Sequence, residues 1–479
     1  MINSVLVYNK DNNLTKLILD KDQLRIETVD NNREQIVLVV QFEFIYGIDF
    51  DEETLIIHYV SSGNMKSEPI RNDNNQQPND IRQWELNTLQ YNCTKVKDNN
   101  NDALLSSFIT SLRERALPHY RTYSKTKVFV ILNPTSGSQR AETDFIKRIK
   151  PMLLHAGFLD TNITKINTKR NGETRALAKD LGKQQIKLES TIIISMGGDG
   201  TLHEVVNGLV DAITIPKEGQ QQQQRQQIRL GVIPAGSGNA FALGMGIQSI
   251  EQATLKIIKQ EKESPFYMIE AKMGFAKDWP ENCVYDNTDS IRLLVVMSWG
   301  FHAQVVSKSR YLRYFMGNAR FSWVAMYLLT FLKQYQGDLL LKNAKKYNRE
   351  THQFDGPKTT CMLDDKQFTY FVVSKQDSLE KGFRVAPFAS PLTEEMDIIM
   401  LRNETRDKLT KVSLAAFQNG QHIDIEGVEY FKASELLLRV KDKAELCLDG
   451  EIHELQANGI IHLQAVSSST EQAQFTVFI

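Results

Sequence analysis

The chain has 479 residues, room for about three domains at roughly 150 residues each, and its 57 basic and 58 acidic residues leave a formal net charge of −1. That balance excludes a dedicated nucleic-acid binder, which concentrates lysine and arginine. Cys93, Cys283, Cys361 and Cys447 stand far apart without CxxC spacing, so neither a zinc site nor a disulfide framework is indicated. The N-terminus lacks the basic-then-apolar order of a signal peptide, and no apolar run reaches the ~18 residues of a spanning helix. The expected setting is cytoplasmic, with contact to intracellular or plasma membranes only peripheral.

Residues 1–120 alternate short strand-like runs (SVLVYN, LTKLILD, QLRIETV, EQIVLVVQF, TLIIHYV) with Asn/Asp-rich turns, then reach the amphipathic run ALLSSFITSLRERAL. Strands closed by one helix follow the order of a pleckstrin-homology-like barrel. An anonymous β-rich extension satisfies the same pattern. Over 125–264 the order changes to strand, glycine turn, helix, three times over, which implies a parallel sheet covered by helices: an α/β, Rossmann-like nucleotide-binding domain. The tract at 218–227, EGQQQQQRQQ, reads as a disordered surface loop. From 265 to 479 strands outnumber helices, the texture of an antiparallel β-sandwich. Within it, 309–335 is aromatic, basic and helical in pattern.

Three strand-to-helix junctions carry glycine turns: NPTSG at 133–137, GGDGT at 197–201 and PAGSGNA at 234–240. Glycine lets backbone N–H groups approach an anion closely, and a helix N-terminus adds a favourable dipole. At the ends of parallel strands, three such turns converge on one crevice suited to a polyphosphate. No GxxxxGK[ST] is present, so this is not a P-loop protein.

GGDGTLHEVVNGL followed by PAGSGNA resembles the diacylglycerol-kinase-type catalytic domain, in its sphingosine kinase branch. NPTSG, SWGFHAQV at 298–305, MGNARF at 316–321 and LDGE at 448–451 extend the likeness over about 125–479. The resemblance implies an ATP- and Mg2+-dependent lipid kinase. It assigns nucleotide contacts to Asn133, Pro134, Ser136 and Gly137 in the first loop and to Thr168. Gly197, Gly198, Gly200, Thr201 and Glu204 follow in the central motif, and Gly236, Ser237, Gly238 and Asn239 in the third. Arg313 and Arg320 would offset phosphate charge. Asp449, Gly450 and Glu451 would return to the crevice, with the carboxylates of Asp449 and Glu451 near magnesium. Phe301, Gln304, Val305, Val306, Phe315 and Met316 would line the lipid pocket.

Asp199 then has two readings. It can cap the helix that follows it, or it can orient a hydroxyl nucleophile and take its proton beside the phosphates. The companion motifs favour the second. His203 and His302, without metal-spaced partners, read as surface or core histidines.

One departure bears on the acceptor. Sphingosine kinases resemble one another in an acidic stretch after the WGF element, placed for a sphingoid amine, whereas Gln304 and Val306 stand here and no Asp or Glu occurs between Asp289 and Asp338. An ammonium entering an apolar pocket without a partner charge is costly. The expected acceptor is still a sphingoid base, with ceramide or diacylglycerol as alternatives. NAD kinase shares GGDGT but does not explain PAGSGNA or the WGF element. A catalytically inert membrane-binding adaptor would have shed Asp199, Glu204, Asn239, Asp449 and Glu451, all of which are present.

Overall fold

In the computed structural model the described residues are 3–30, 33–51, 53–62, 84–93, 101–168, 172–185, 191–213, 226–286, 290–310, 319–470 and 473–479. The first domain is one antiparallel sheet of seven strands, β1 (Ser4–Asn9), β2 (Leu14–Leu19), β3 (Gln23–Asp30), β4 (Arg33–Gln41), β5 (Ile45–Phe50), β6 (Thr54–Ser62) and β7 (Trp84–Asn92), in the order 4-3-2-1-7-6-5. The helix Asn101–Ala116 closes it. Leu105, Phe108, Ile109, Leu112 and Ala116 recur at helical spacing and are buried, so one face of that helix fills the sheet's core. β5 and β7 escape a reading by hydrophobic alternation: β5 is apolar on both faces and β7 is mostly polar.

The second domain is a six-stranded sheet in which β8 (Lys127–Leu132), β9 (Ile163–Asn167), β10 (Thr191–Gly197) and β11 (Gln226–Pro234) run parallel in the order β11-β10-β8-β9. Every residue of β10 is buried, as befits a central strand covered by helices on both faces. The glycine turns leave the carboxyl ends of β8, β10 and β11, which are adjacent strands. Convergence on one crevice therefore follows from sheet order.

β12 (Glu263–Pro265) leads into the third domain, twelve antiparallel strands in one sheet: β13 (Tyr267–Asp278), β14 (Asn282–Tyr285), β15 (Ile291–Leu293), β16 (Val296–Gly300), β17 (Tyr335–Lys346), β18 (Thr359–Ser374), β19 (Met396–Arg402), β20 (Val428–Ala433), β21 (Glu435–Val440), β22 (Ala444–Leu448), β23 (Glu451–Leu455) and β24 (Gly459–Ser467). Its core is built on Trp299, with Phe368 and Phe371 against the indole.

Two boundaries differ from expectation. β25 (Ala473–Phe478) pairs in parallel with β11, so the chain's end completes the α/β sheet and the range 265–479 is not all sandwich. Its apolar pattern is that of any strand, and only the partner strand distinguishes the two sheets. Residues 226 and 227, the end of the glutamine tract, pair with β25 and open β11, because strand pairing satisfies a glutamine backbone as well as any other. The rest of the tract lies outside the described residues.

The first domain docks on the second through a buried lysine. Lys259 Nζ, at the end of the helix Ile250–Lys259, donates to the carbonyls of Phe42 and Ile45 at 2.6 Å each and to that of Ala116. Burial pulls this amine down to about 7.

Candidate active site

Asp199 is the first residue of the helix Asp199–Ile213, yet its carboxylate does not cap that helix. Oδ2 accepts from the Ala240 N–H at 2.8 Å and Oδ1 from the Phe241 N–H at 3.1 Å, the first amides of the neighbouring helix Ala240–Gly244. The Asp199 N–H in turn donates to the Gly238 carbonyl at 3.0 Å. Burial raises the carboxyl to about 6, opposed by the two amides and assisted by the charge of Asp449. A carboxylate held near that value is ionised at neutral pH yet basic enough to take a proton.

The glycines divide into two classes. Gly198 and Gly236 meet backbone to backbone: a Cβ on Gly198 would stand 2.7 Å from the Gly238 carbonyl oxygen and 3.2 Å from Gly236 Cα. Gly137, at φ 53°, lies under the Ala235 carbonyl. These residues lock the three loops together. Over Gly200, by contrast, a Cβ would meet nothing, and the helix N-terminus there is open to an anion.

Side chains tie the loops further. Asn133 Nδ2 donates to Thr201 Oγ1 at 3.0 Å, and Asn239 bridges Gly236 through both ends of its amide. Ser136 closes a turn on the Asn133 carbonyl, and Pro134 lies within that turn. Ser237, which follows the close-packed Gly236, is exposed, as is Gly238. The Thr168 N–H binds the Leu132 carbonyl, and Glu204 Oε1 accepts from the Gly172 N–H at 3.2 Å, joining the loop after β9 to the central helix.

Asp449 does not stand as a direct metal ligand. Its side chain is 1% exposed, and its oxygens accept from the N–H groups of Leu294, Val295 and Val296 at 2.7–3.0 Å and from His203 Nδ1 at 2.9 Å. Four bonds occupy its four lone-pair positions. The turn it heads is left-handed at both Asp449 and Gly450, with φ of 47° and 87°. Arg310 Nη2 holds the Gly450 carbonyl at 2.6 Å. Glu451 is exposed and keeps a carboxylate toward solvent.

His203 is therefore part of the site, which its lone position in the sequence concealed. Burial pulls the imidazole down, but the hydrogen bond with Asp449 and the charges of Asp449 and Glu451 outweigh it and hold the ring above its ordinary value. His302, bonded to Ser298 and pushed by burial down to about 4, is a core histidine as expected. Asp449→Ala is expected to cost about 3–5 kcal/mol, because it orphans three buried amides and a histidine at once. A urea midpoint equal to wild type would remove this clasp from the account.

On the lipid side, Phe301 and Val305 are buried and Gln304 and Val306 half-buried along the helix Phe301–Ser309, which starts at the end of β16. Gln304 Nε2 donates to Glu445 Oε2 at 2.9 Å. Glu445 lies on β22, which pairs with β16, so a carboxylate from 141 residues downstream stands beside the helix that follows the WGF element. No local signal in the sequence marks it. Arg320 lies over the Phe321 ring, and its charge acts on Glu380. Arg313, Phe315 and Met316 lie outside the described residues.

The diacylglycerol kinase catalytic domain family matches residues 127–271, and the YegS C-terminal NAD kinase beta sandwich-like domain matches 295–458. The chain is a lipid kinase that carries a diacylglycerol kinase catalytic domain. This lipid kinase is 28% identical over 339 residues to the provisionally named lipid kinase YtlR of Bacillus subtilis, covering 68% of the chain and 93% of that protein. It is 26% identical to sphingosine kinase 1 of Rattus norvegicus over 72% of the chain and 92% of the relative. A solved Bacillus anthracis structure, provisionally named a diacylglycerol kinase, shares the fold at a TM-score of 0.51 and 16% identity, covering 74% of this chain and 94% of that one. The catalytic domain it carries makes the kinase ATP-dependent.

Proposed function

We propose that this lipid kinase transfers the ATP γ-phosphate to the primary hydroxyl of a sphingoid base. Glu445 is the observation that carries the reading, because a carboxylate beside an apolar helix wall gives an ammonium on a lipid the partner charge it needs, whereas a neutral headgroup needs none. In the reaction Asp199 takes the hydroxyl proton as that oxygen bonds to phosphorus, and the bond from the γ-phosphorus to the bridging oxygen breaks to release ADP. The Gly197–Thr201 turn and the Gly236–Asn239 turn bind the phosphates. Magnesium, when bound with the nucleotide, neutralises phosphate charge, and Glu451 is the carboxylate of the LDGE turn free to meet it.

The acceptor comes from a membrane. Among the described residues no helix is long and apolar enough to cross one, but Trp323, Met326, Tyr327 and Phe331 expose large apolar surfaces on and just after the helix Ala319–Thr330. Such a face suits peripheral insertion into a lipid surface, consistent with a cytoplasmic enzyme working at membranes.

The test offers labelled ATP with sphinganine, ceramide and diacylglycerol in mixed micelles. Sphinganine phosphate is expected as the dominant product. Transfer only to ceramide or diacylglycerol removes the sphingoid assignment.

A further inference from the structure

We propose that Asp49, His58 and His155 form a binding site for a divalent transition metal of the zinc class, fastening the N-terminal sheet to the catalytic domain. Asp49 lies on β5 and His58 on β6, whereas His155 belongs to the helix Lys150–Ala156 of the α/β domain. Asp49 Oδ2 stands 3.0 Å from His58 Nε2 and 2.6 Å from His155 Nδ1, and the three donor atoms lie within 4.8 Å of one another.

Two imidazoles and a carboxylate are a zinc donor set. In a tetrahedral site with bonds of ~2.0–2.1 Å, donor atoms stand about 3.4 Å apart, so the Asp49 oxygen and each imidazole nitrogen need part by less than about 1 Å to admit a cation. The rings, now stacked with centroids 3.8 Å apart and planes 22° apart, splay as both nitrogens turn onto one ion.

Three further observations fit a metal. Thr88 Oγ1 lies 3.2 Å from His58 Nδ1 and can accept its N–H, the outer bond that leaves Nε2 free to ligate. Among the described residues no Lys or Arg pairs with Asp49, whose charge is met by the histidines alone. The side chains of Asp49 and His155 are 45% and 38% exposed, which gives an entry path and room for a water as fourth ligand. The two backbones are also close: a Cβ on Gly47 would stand 2.5 Å from His155 Cβ, so β5 lies directly on the helix and sets Asp49 beside His155. None of this depends on which lipid the enzyme phosphorylates.

Full-length protein stripped with chelator would be titrated with Zn2+ and Co2+, following calorimetry, visible absorption and Tm. One Co2+ per chain with the d–d bands of a low-coordinate site is expected, with a higher Tm for the zinc form. His155→Ala and Asp49→Asn, at half-buried positions, are each expected to weaken binding by more than about tenfold and to abolish the Tm increase. Wild-type protein that takes up neither metal at micromolar concentration overturns the site. Binding that both variants retain overturns the ligand assignment, and binding without a rise in Tm overturns the fastening role.

Discussion

Asp199→Asn is expected to lower turnover about 10²–10⁴-fold, the range for loss of a positioned base, while ATP affinity stays within a few-fold of wild type. The amide oxygen can still accept one of the N–H groups of Ala240 and Phe241, but the amide nitrogen faces the other donor and takes no proton. Part of the loss could then come from a disturbed helix start, and the wild-type pH profile separates the two effects. Because burial raises the Asp199 carboxyl to about 6, the proton-accepting form predominates above that value. The rate kcat/KM should therefore fall about tenfold per unit as pH drops below about 6. A wild-type profile flat between about pH 5 and 7 would exclude Asp199 as the base even if the variant were inactive.

Glu445→Gln is expected to raise KM for sphinganine by about tenfold to a hundredfold, the cost of losing a charged hydrogen-bond partner at about 1.5–3 kcal/mol, with kcat nearly unchanged. The substitution keeps the shape and the bond to Gln304 while removing the charge. Any residual transfer to diacylglycerol should be unaffected, since a neutral headgroup has no charge to lose. An unchanged KM for sphinganine would show that the amine is read elsewhere and would leave Glu445 a structural partner of Gln304.

Much of the catalytic half was legible from local pattern. Glycine turns between β-branched strands and amphipathic helices report a backbone event, a tight chain reversal at the end of a strand, and such events are encoded within a few residues. The roles within those turns were less legible. Gly198, Gly200 and Gly236 look alike in sequence, yet only Gly200 opens onto free space, because Gly198 and Gly236 pack against each other from different loops. Asp449 reads as a metal-seeking acid until the amides of Leu294, Val295 and Val296 are seen to occupy it. Side-chain chemistry of this kind depends on what faces the group, and that partner lies more than 150 residues away.

The sequence alone determined the strand–turn–helix order, the three glycine turns, Asp199 beside them and the β-rich regions on either side, because hydrophobic period and turn chemistry are local properties. Only the tertiary structure decided that Asp199 caps a different helix from its own, that His203 and Asp449 clasp each other, that β25 returns to the first sheet of the catalytic half, and that Glu445 stands against Gln304. Each of those facts is a meeting of residues distant in the chain. Long-range strand pairing and burial set such meetings, and no window of neighbouring residues contains them.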